Sequence, residues 1–172
     1  MSVTMKIMRA NAGFTLIEVM VAALVLAIGI LGLATSMLTG LKSDKSAYYR
    51  SQAAAIATDM AERMRLNRSI IDDYAGFSTE SDIVAANSCL TATSGCSETQ
   101  IRNQDFRDWQ SNFVNVNDLT TFSPKLPNGV GTIAEVGGRY VITVSWAEDD
   151  WDGNDLSARV NTEKSVTLTL DF

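Results

Sequence analysis

From Val19 to Leu41 the chain runs for 23 residues without a charged side chain. At about 1.5 Å of rise per residue, a helix of that length reaches about 35 Å, enough to cross a hydrocarbon layer about 30 Å thick. The alternative is a buried core helix. A helix that is apolar on every side needs cover on every side, and 172 residues leave room for only one modest domain plus one extra element. The segment is therefore read as a membrane span. Apolar residues make up 46% of the chain, and because so many of them sit in this run, the remainder is more polar than that average implies.

The residues ahead of the run, MSVTMKIMRANAG, are short and mildly basic through Lys6 and Arg9, and they end in Gly13. An ordinary secretory signal follows its charges with about 7–15 apolar residues and then a small-residue cleavage site. Here the glycine comes before the apolar run, and Thr15 and Glu18 interrupt its start. A carboxylate in a membrane helix costs up to about 2.5–3.5 kcal/mol at the centre. Glu18 either finds a cationic partner or lies unpaired in the headgroup zone. Lys42, Lys45 and Arg50 follow the span as Lys6 and Arg9 precede it, so the positive-inside count leaves orientation open.

Beyond the span the pattern becomes amphipathic without a break. Leu38, Leu41, Lys45, Tyr49, Ala53, Ile56, Met60 and Met64 recur at steps of three or four, with Lys45 the one lapse. Asp44, Arg50, Asp59, Glu62, Arg63 and Arg65 occupy the other face. No proline occurs before Pro124, which predicts one helix from about Phe14 to Leu66, about 80 Å long. Gly29, Gly32 and Gly40 are weak points where such a helix is expected to bend or melt.

The stretch from Asn67 to Asn117 is expected to mix loop with short helix. At the C-terminal end, Tyr140, Ile142, Val144 and Trp146 alternate with polar or smaller residues, as do Val166, Leu168, Leu170 and Phe172. Period-two alternation with one apolar face predicts two strands of a half-buried antiparallel sheet covering the Tyr49–Met64 stripe. Val130–Val136 is a candidate third strand after the Pro127-Asn128-Gly129 turn.

Composition narrows the function classes. From Lys42 onward there are 12 basic and 19 acidic residues, a surface that repels phosphate backbones, so nucleic acid is not an expected partner. The chain has no histidine, the commonest general base and metal ligand. Cys89 and Cys96 are expected to pair if the domain is exported. Their spacing is not the C-x-x-C of a redox pair, which favours a structural staple. Asp150, Asp152, Asn154 and Asp155 lie in an acidic stretch between the two strands and are candidate oxygen ligands for calcium. The EF-hand pattern fails because Asn161 stands where its last glutamate belongs. A solvated acidic turn is the simpler reading, and no cofactor is expected.

The hexapeptide Gly13-Phe14-Thr15-Leu16-Ile17-Glu18 in front of a spanning helix closely resembles the class III signal of type IV prepilins. The resemblance implies cleavage by a prepilin peptidase on the cytoplasmic side, between Gly13 and Phe14, and methylation of the new amine at Phe14. It makes Glu18 the glutamate needed for assembly but not for processing. It implies an α+β pilin fold: a leader at 1–13, a long helix at 14–66 (spanning half 14–41, amphipathic half 42–66) and a β-rich head at 67–172. The expected location is the inner membrane, with the N-terminus cytoplasmic and the head periplasmic, and later the pilus.

Within that superfamily, Arg50-Ser51-Gln52-Ala53 and Asp59–Asn67 resemble the pilus modification protein PilV, as do Asp105–Trp109, Leu126–Gly129 and Tyr140–Trp146. The implied role is that of a minor pilin that primes assembly in a tip complex. Its implied partners are other minor and major pilins and the inner-membrane assembly platform. A minor pseudopilin of a type II secretion system shares signal and architecture and is the alternative. A membrane-anchored enzyme or binding module finds no nucleophile–base arrangement, phosphate loop or metal cluster in the sequence.

Overall fold

The computed structural model describes residues 13–151 and 159–171, with Asp150, Trp151 and Arg159 as backbone only. Helix α1 covers Leu16–Leu66, 51 residues. It contributes to two compact units, one ending at Asp44 and the other beginning at Lys45. In the first unit no side chain from Leu16 to Leu41 is buried. The helix is long and apolar enough to cross a membrane. It runs unbroken through Gly29, Gly32 and Gly40, where melting was expected. A helical glycine costs about 1 kcal/mol relative to alanine. Here each glycine is flanked by isoleucine, leucine or threonine, and helix propagation carries the chain across.

In the second unit the stripe on α1 turns inward. Ala53, Ile56, Ala57, Met60, Ala61 and Met64 are all buried. Lys45 stays exposed and lies over the ring of Tyr49, 5.6 Å from its centroid, so the lapse in the stripe falls where burial has not yet begun. The chain continues in 3-10 turns over Arg68–Tyr74 and Ser88–Thr91 before helix α2, Glu98–Gln110. Ser97 and Gln100 form a reciprocal capping box at the start of α2: the Gln100 amide donates to Ser97 Oγ at 3.3 Å, and the Ser97 amide to Gln100 Oε1 at 2.9 Å. Cys89 and Cys96 are joined in a disulfide with 5.0 Å between their Cα atoms, immediately before that cap.

Strands β1 (Val130–Val136), β2 (Arg139–Trp151) and β3 (Arg159–Leu170) form an antiparallel sheet in the order β1-β2-β3. Val136 and Arg139 pair across a Gly137-Gly138 turn in which both glycines have positive φ, the conformation that a two-residue hairpin requires. Rows of residues cross the sheet on its inner face: Ile133, Ile142 and Leu168 in one, Gly131, Val144 and Val166 in the next. Tyr140, Ile142, Val144 and Trp146 are buried, as their alternation predicts. They join the buried α1 residues and Tyr74, Phe106, Trp109, Phe113, Leu126 and Leu170 in one core.

Strand β2 is longer than its apolar alternation. Glu148, Asp149, Asp150 and Trp151 pair with Thr162, Asn161, Val160 and Arg159. Asp150 is therefore in a ladder and not on a turning loop: an antiparallel hairpin propagates through backbone hydrogen bonds whether or not its side chains are apolar. Asp152, Asn154, Asp155 and Phe172 lie outside the described residues.

A Cβ on Gly131 would come within 2.5 Å of Trp109 Cη2 and within 2.9 Å of two further ring carbons. Gly131→Ala is therefore expected to destabilise the head by about 1–3 kcal/mol through overpacking, read as a lower denaturation midpoint of the full chain in detergent. Cys89→Ser with Cys96→Ser should cost about 2–3 kcal/mol, the loop-closure value for so short a ring. Reductant should lower the midpoint of the wild type towards that of the double variant and leave the variant unmoved.

Candidate processing and assembly site

Gly13, Phe14 and Thr15 precede the first turn of α1 and have no regular secondary structure. All three are exposed, Phe14 with 81% of its surface accessible. Gly13 has no atom within 4 Å of where a Cβ would stand. Thr15 starts the helix. The Glu18 amide donates to Thr15 Oγ1 at 3.3 Å, and the Thr15 carbonyl accepts from the amides of Glu18 and Val19. A threonine oxygen that takes an orphan amide of the first turn is an N-cap. The Thr15-x-x-Glu18 spacing is that of a capping box, of which the structure shows the threonine half. This signal was present in the sequence, where Thr15 was noted only as an interruption.

Glu18 is exposed and lies in the first turn of α1, where the helix dipole favours a negative charge. Gly13, Phe14 and Glu18 thus fall within about one and a half turns, the glycine and phenylalanine outside the helix and the carboxylate inside it.

A second constellation brings together stretches far apart in sequence. Arg63 Nη1 donates to Asp105 Oδ1 at 3.1 Å and to Asp108 Oδ2 at 3.2 Å, while its Nε donates to Asp59 Oδ2 at 2.9 Å. Tyr74 Oη donates to Asp105 Oδ2 at 2.6 Å and accepts from Asn67 Nδ2 at 3.1 Å. Burial alone would lower the Arg63 pKa, but the hydrogen bonds and charges of Asp59 and Asp105 outweigh it and the net direction is upward. Burial first, and then the bond to Asp105, raises the Tyr74 phenol well above its usual range. Tyr140 is pushed up to about 12, first by its hydrogen bond to Asp72 and then by burial. In the sequence Asp59 and Arg63 fall on the polar face of the amphipathic helix and, with Asp105, in stretches of resemblance, with no sign that they meet. That face meets α2, which sequence periodicity did not locate.

These groups hold the head together, and among the described residues no cluster of three or more acidic, histidine or cysteine side chains is arranged to bind a metal. The four calcium candidates are not brought together in the described part: Asp150 is in β2, and the other three lie outside it.

Residues 8–34 match the family model of the prokaryotic N-terminal methylation motif, which brackets Gly13, Phe14 and Glu18. Residues 37–107 match the model described as Type IV pilin Tt1218, from the end of the uncharged run through Arg63, Tyr74, the disulfide and Asp105. No curated protein and no solved structure matches the chain. The two matches nearly adjoin, and with the apolar N-terminal helix and the α+β pilin fold they make the chain similar to type IV pilins that carry an N-terminal methylation motif.

Proposed function

We propose that the protein is a minor pilin, similar to PilV, that is inserted in the bacterial inner membrane, trimmed between Gly13 and Phe14, methylated at Phe14 and then built into a pilus. The observation that carries this reading is the hexapeptide Gly13–Glu18 set directly against the uncharged run, within the stretch that matches the methylation motif. The local geometry agrees with it. The Gly13–Phe14 bond lies outside the helix in exposed backbone, where a peptidase can reach it. The cap that starts α1 belongs to Thr15, downstream of the cut, so trimming leaves the helix start intact.

The charge argument assigns Glu18 its role. Cleavage creates an ammonium at Phe14, about one turn from the carboxylate. In an apolar filament core an unpaired charge costs several kcal/mol. Glu18 pairs with that amine, its own or a neighbouring subunit's, and docking into the growing pilus depends on the pair. The PilV resemblance supports a role among the minor pilins that prime assembly, with other pilins, the prepilin peptidase and the assembly platform as partners.

Mass analysis of the envelope-purified protein should find an N-terminus at Phe14 carrying one added methyl group; a chain cut near Ala34, or left uncut, would remove the assignment. Glu18→Val should be trimmed normally and insert at least as well as wild type, since a carboxylate that is costly in lipid is gone. It should accumulate in the inner membrane and be missing from sheared pili. Wild-type levels of Glu18→Val in pili would show that the charge pair is dispensable.

A further inference from the structure

The two edges of the sheet are treated differently. Outside β1, the segment from Gly76 to Thr79 acts as a fourth, irregular strand. The Gly76 amide donates to Ile133 O at 2.8 Å, the Ile133 amide to Phe77 O at 2.9 Å and the Thr79 amide to Gly131 O at 2.9 Å. The Gly131 amide donates to Thr79 Oγ1, also at 2.9 Å. Among the described residues nothing comparable occurs outside β3: no backbone hydrogen bond reaches β3 from any segment other than β2.

The uncovered edge also lacks the usual protections. Natural edge strands are shortened, bulged, or interrupted by proline or charge to prevent pairing with another chain. Strand β3 is 12 residues long, has no proline, and keeps register with β2 from Trp151↔Arg159 to Tyr140↔Leu170 without a bulge. Its charges are confined to Arg159, Glu163 and Lys164; Ser165–Leu170 has none.

Side-chain burial gives an independent sign that the sheet stops short. In the row Ile133–Ile142–Leu168 the first two residues are buried and Leu168 is only partly covered. In the row Gly131–Val144–Val166 the same fall occurs at Val166. In these two rows the apolar layer is closed through β2 and only partly covered at β3, whereas Leu170 at the end of β3 is buried.

We infer that the outer edge of β3, over Ser165–Leu170, is a docking site for an extended segment of a different polypeptide, which adds to the sheet as a further strand. The unpaired backbone groups dictate an extended occupant, as in other strand-addition interfaces. The open rows dictate that its alternate residues be apolar, to cover Val166 and Leu168. The charge-free edge dictates that it be uncharged where it pairs. A second copy of this chain is disfavoured, because two heads with 7 basic and 16 acidic residues each repel one another.

The test uses the full chain in detergent and, as probe, a short synthetic peptide of alternating threonine and valine with a lysine at each end. Amide hydrogen exchange is followed with and without probe. At about ten times the probe's Kd, the outward-facing amides of Ser165–Leu170 should exchange about tenfold more slowly, and those of β1 should not change. The same peptide with a central proline should protect far less. Because amides alternate in direction along a strand, one of Thr167→Pro and Leu168→Pro removes only an outward donor. That variant should keep its denaturation midpoint and lose the protection. Absence of probe protection on β3, or equal protection by the proline peptide, overturns the proposal. Protection without probe that grows with protein concentration overturns it too, by showing that a second copy fills the edge. None of these readings depends on whether the protein enters a pilus.

Discussion

The head is organised around one indole. Trp109, fully buried on α2, donates from Nε1 to the Ile56 carbonyl of α1 at 3.0 Å and presses its six-membered ring on Gly131 of β1. Phe113 meets it edge-on at 5.8 Å between centroids, and Phe77 lies tilted at 6.2 Å. A buried tryptophan must satisfy its N–H, and the helix carbonyl does so through its second lone pair. This fixes how deeply α2 sits against α1. The close approach to β1 requires a residue without Cβ at 131. Three elements thus depend on one side chain and one glycine.

The charged cluster beside the indole acts on the same joint from the solvent side. Arg63 bridges α1 to two acids of α2, and Asp105 turns its other oxygen to Tyr74. The Arg63 side chain is 28% exposed, so solvent screening reduces the Coulomb term. The greater effect is geometric. A guanidinium nitrogen shared by Asp105 and Asp108, with a phenol on the other oxygen of Asp105, allows little rotation of α2 about its own axis. Apolar packing alone would tolerate several rotations. The disulfide and the Ser97 capping box fix the other end of the same helix.

What could be read from the sequence divides along range of interaction. The spanning helix, its amphipathic continuation and the strands at Tyr140–Trp146 and Val166–Leu170 are visible because each repeats its own period in its own residues. Helix α2 hides. It is polar over most of its surface and buries only Asp105, Phe106, Trp109 and Gln110, too few for a period to stand out. Its local signal was the Ser97-x-x-Gln100 box. The role of Arg63 could not be seen because it depends on a partner 42 residues away. The extension of β2 through Glu148–Trp151 was missed for a similar reason. Its stability is held in backbone pairing with β3, and side-chain chemistry at those positions argues for a turn.

The N-terminal end shows the opposite case, in which function is more legible than structure. Nothing among the described residues requires a glycine at 13, since a Cβ there would meet no atom within 4 Å. A glycine that the described fold leaves unconstrained, standing in a six-residue signal, is what the proposed cleavage there would require. Glu18 is similar: helix capping needs only the Thr15 oxygen and the Glu18 amide, which any residue but proline supplies. The first-turn dipole favours the carboxylate by about 0.3–1 kcal/mol at an exposed position. That is smaller than the cost of carrying the carboxylate into lipid, about 2.5–3.5 kcal/mol at its most severe. The local gain falls short of that cost at depth, so the carboxylate makes physical sense if a cation meets it later, and the proposed trimming at Gly13 would create one within reach.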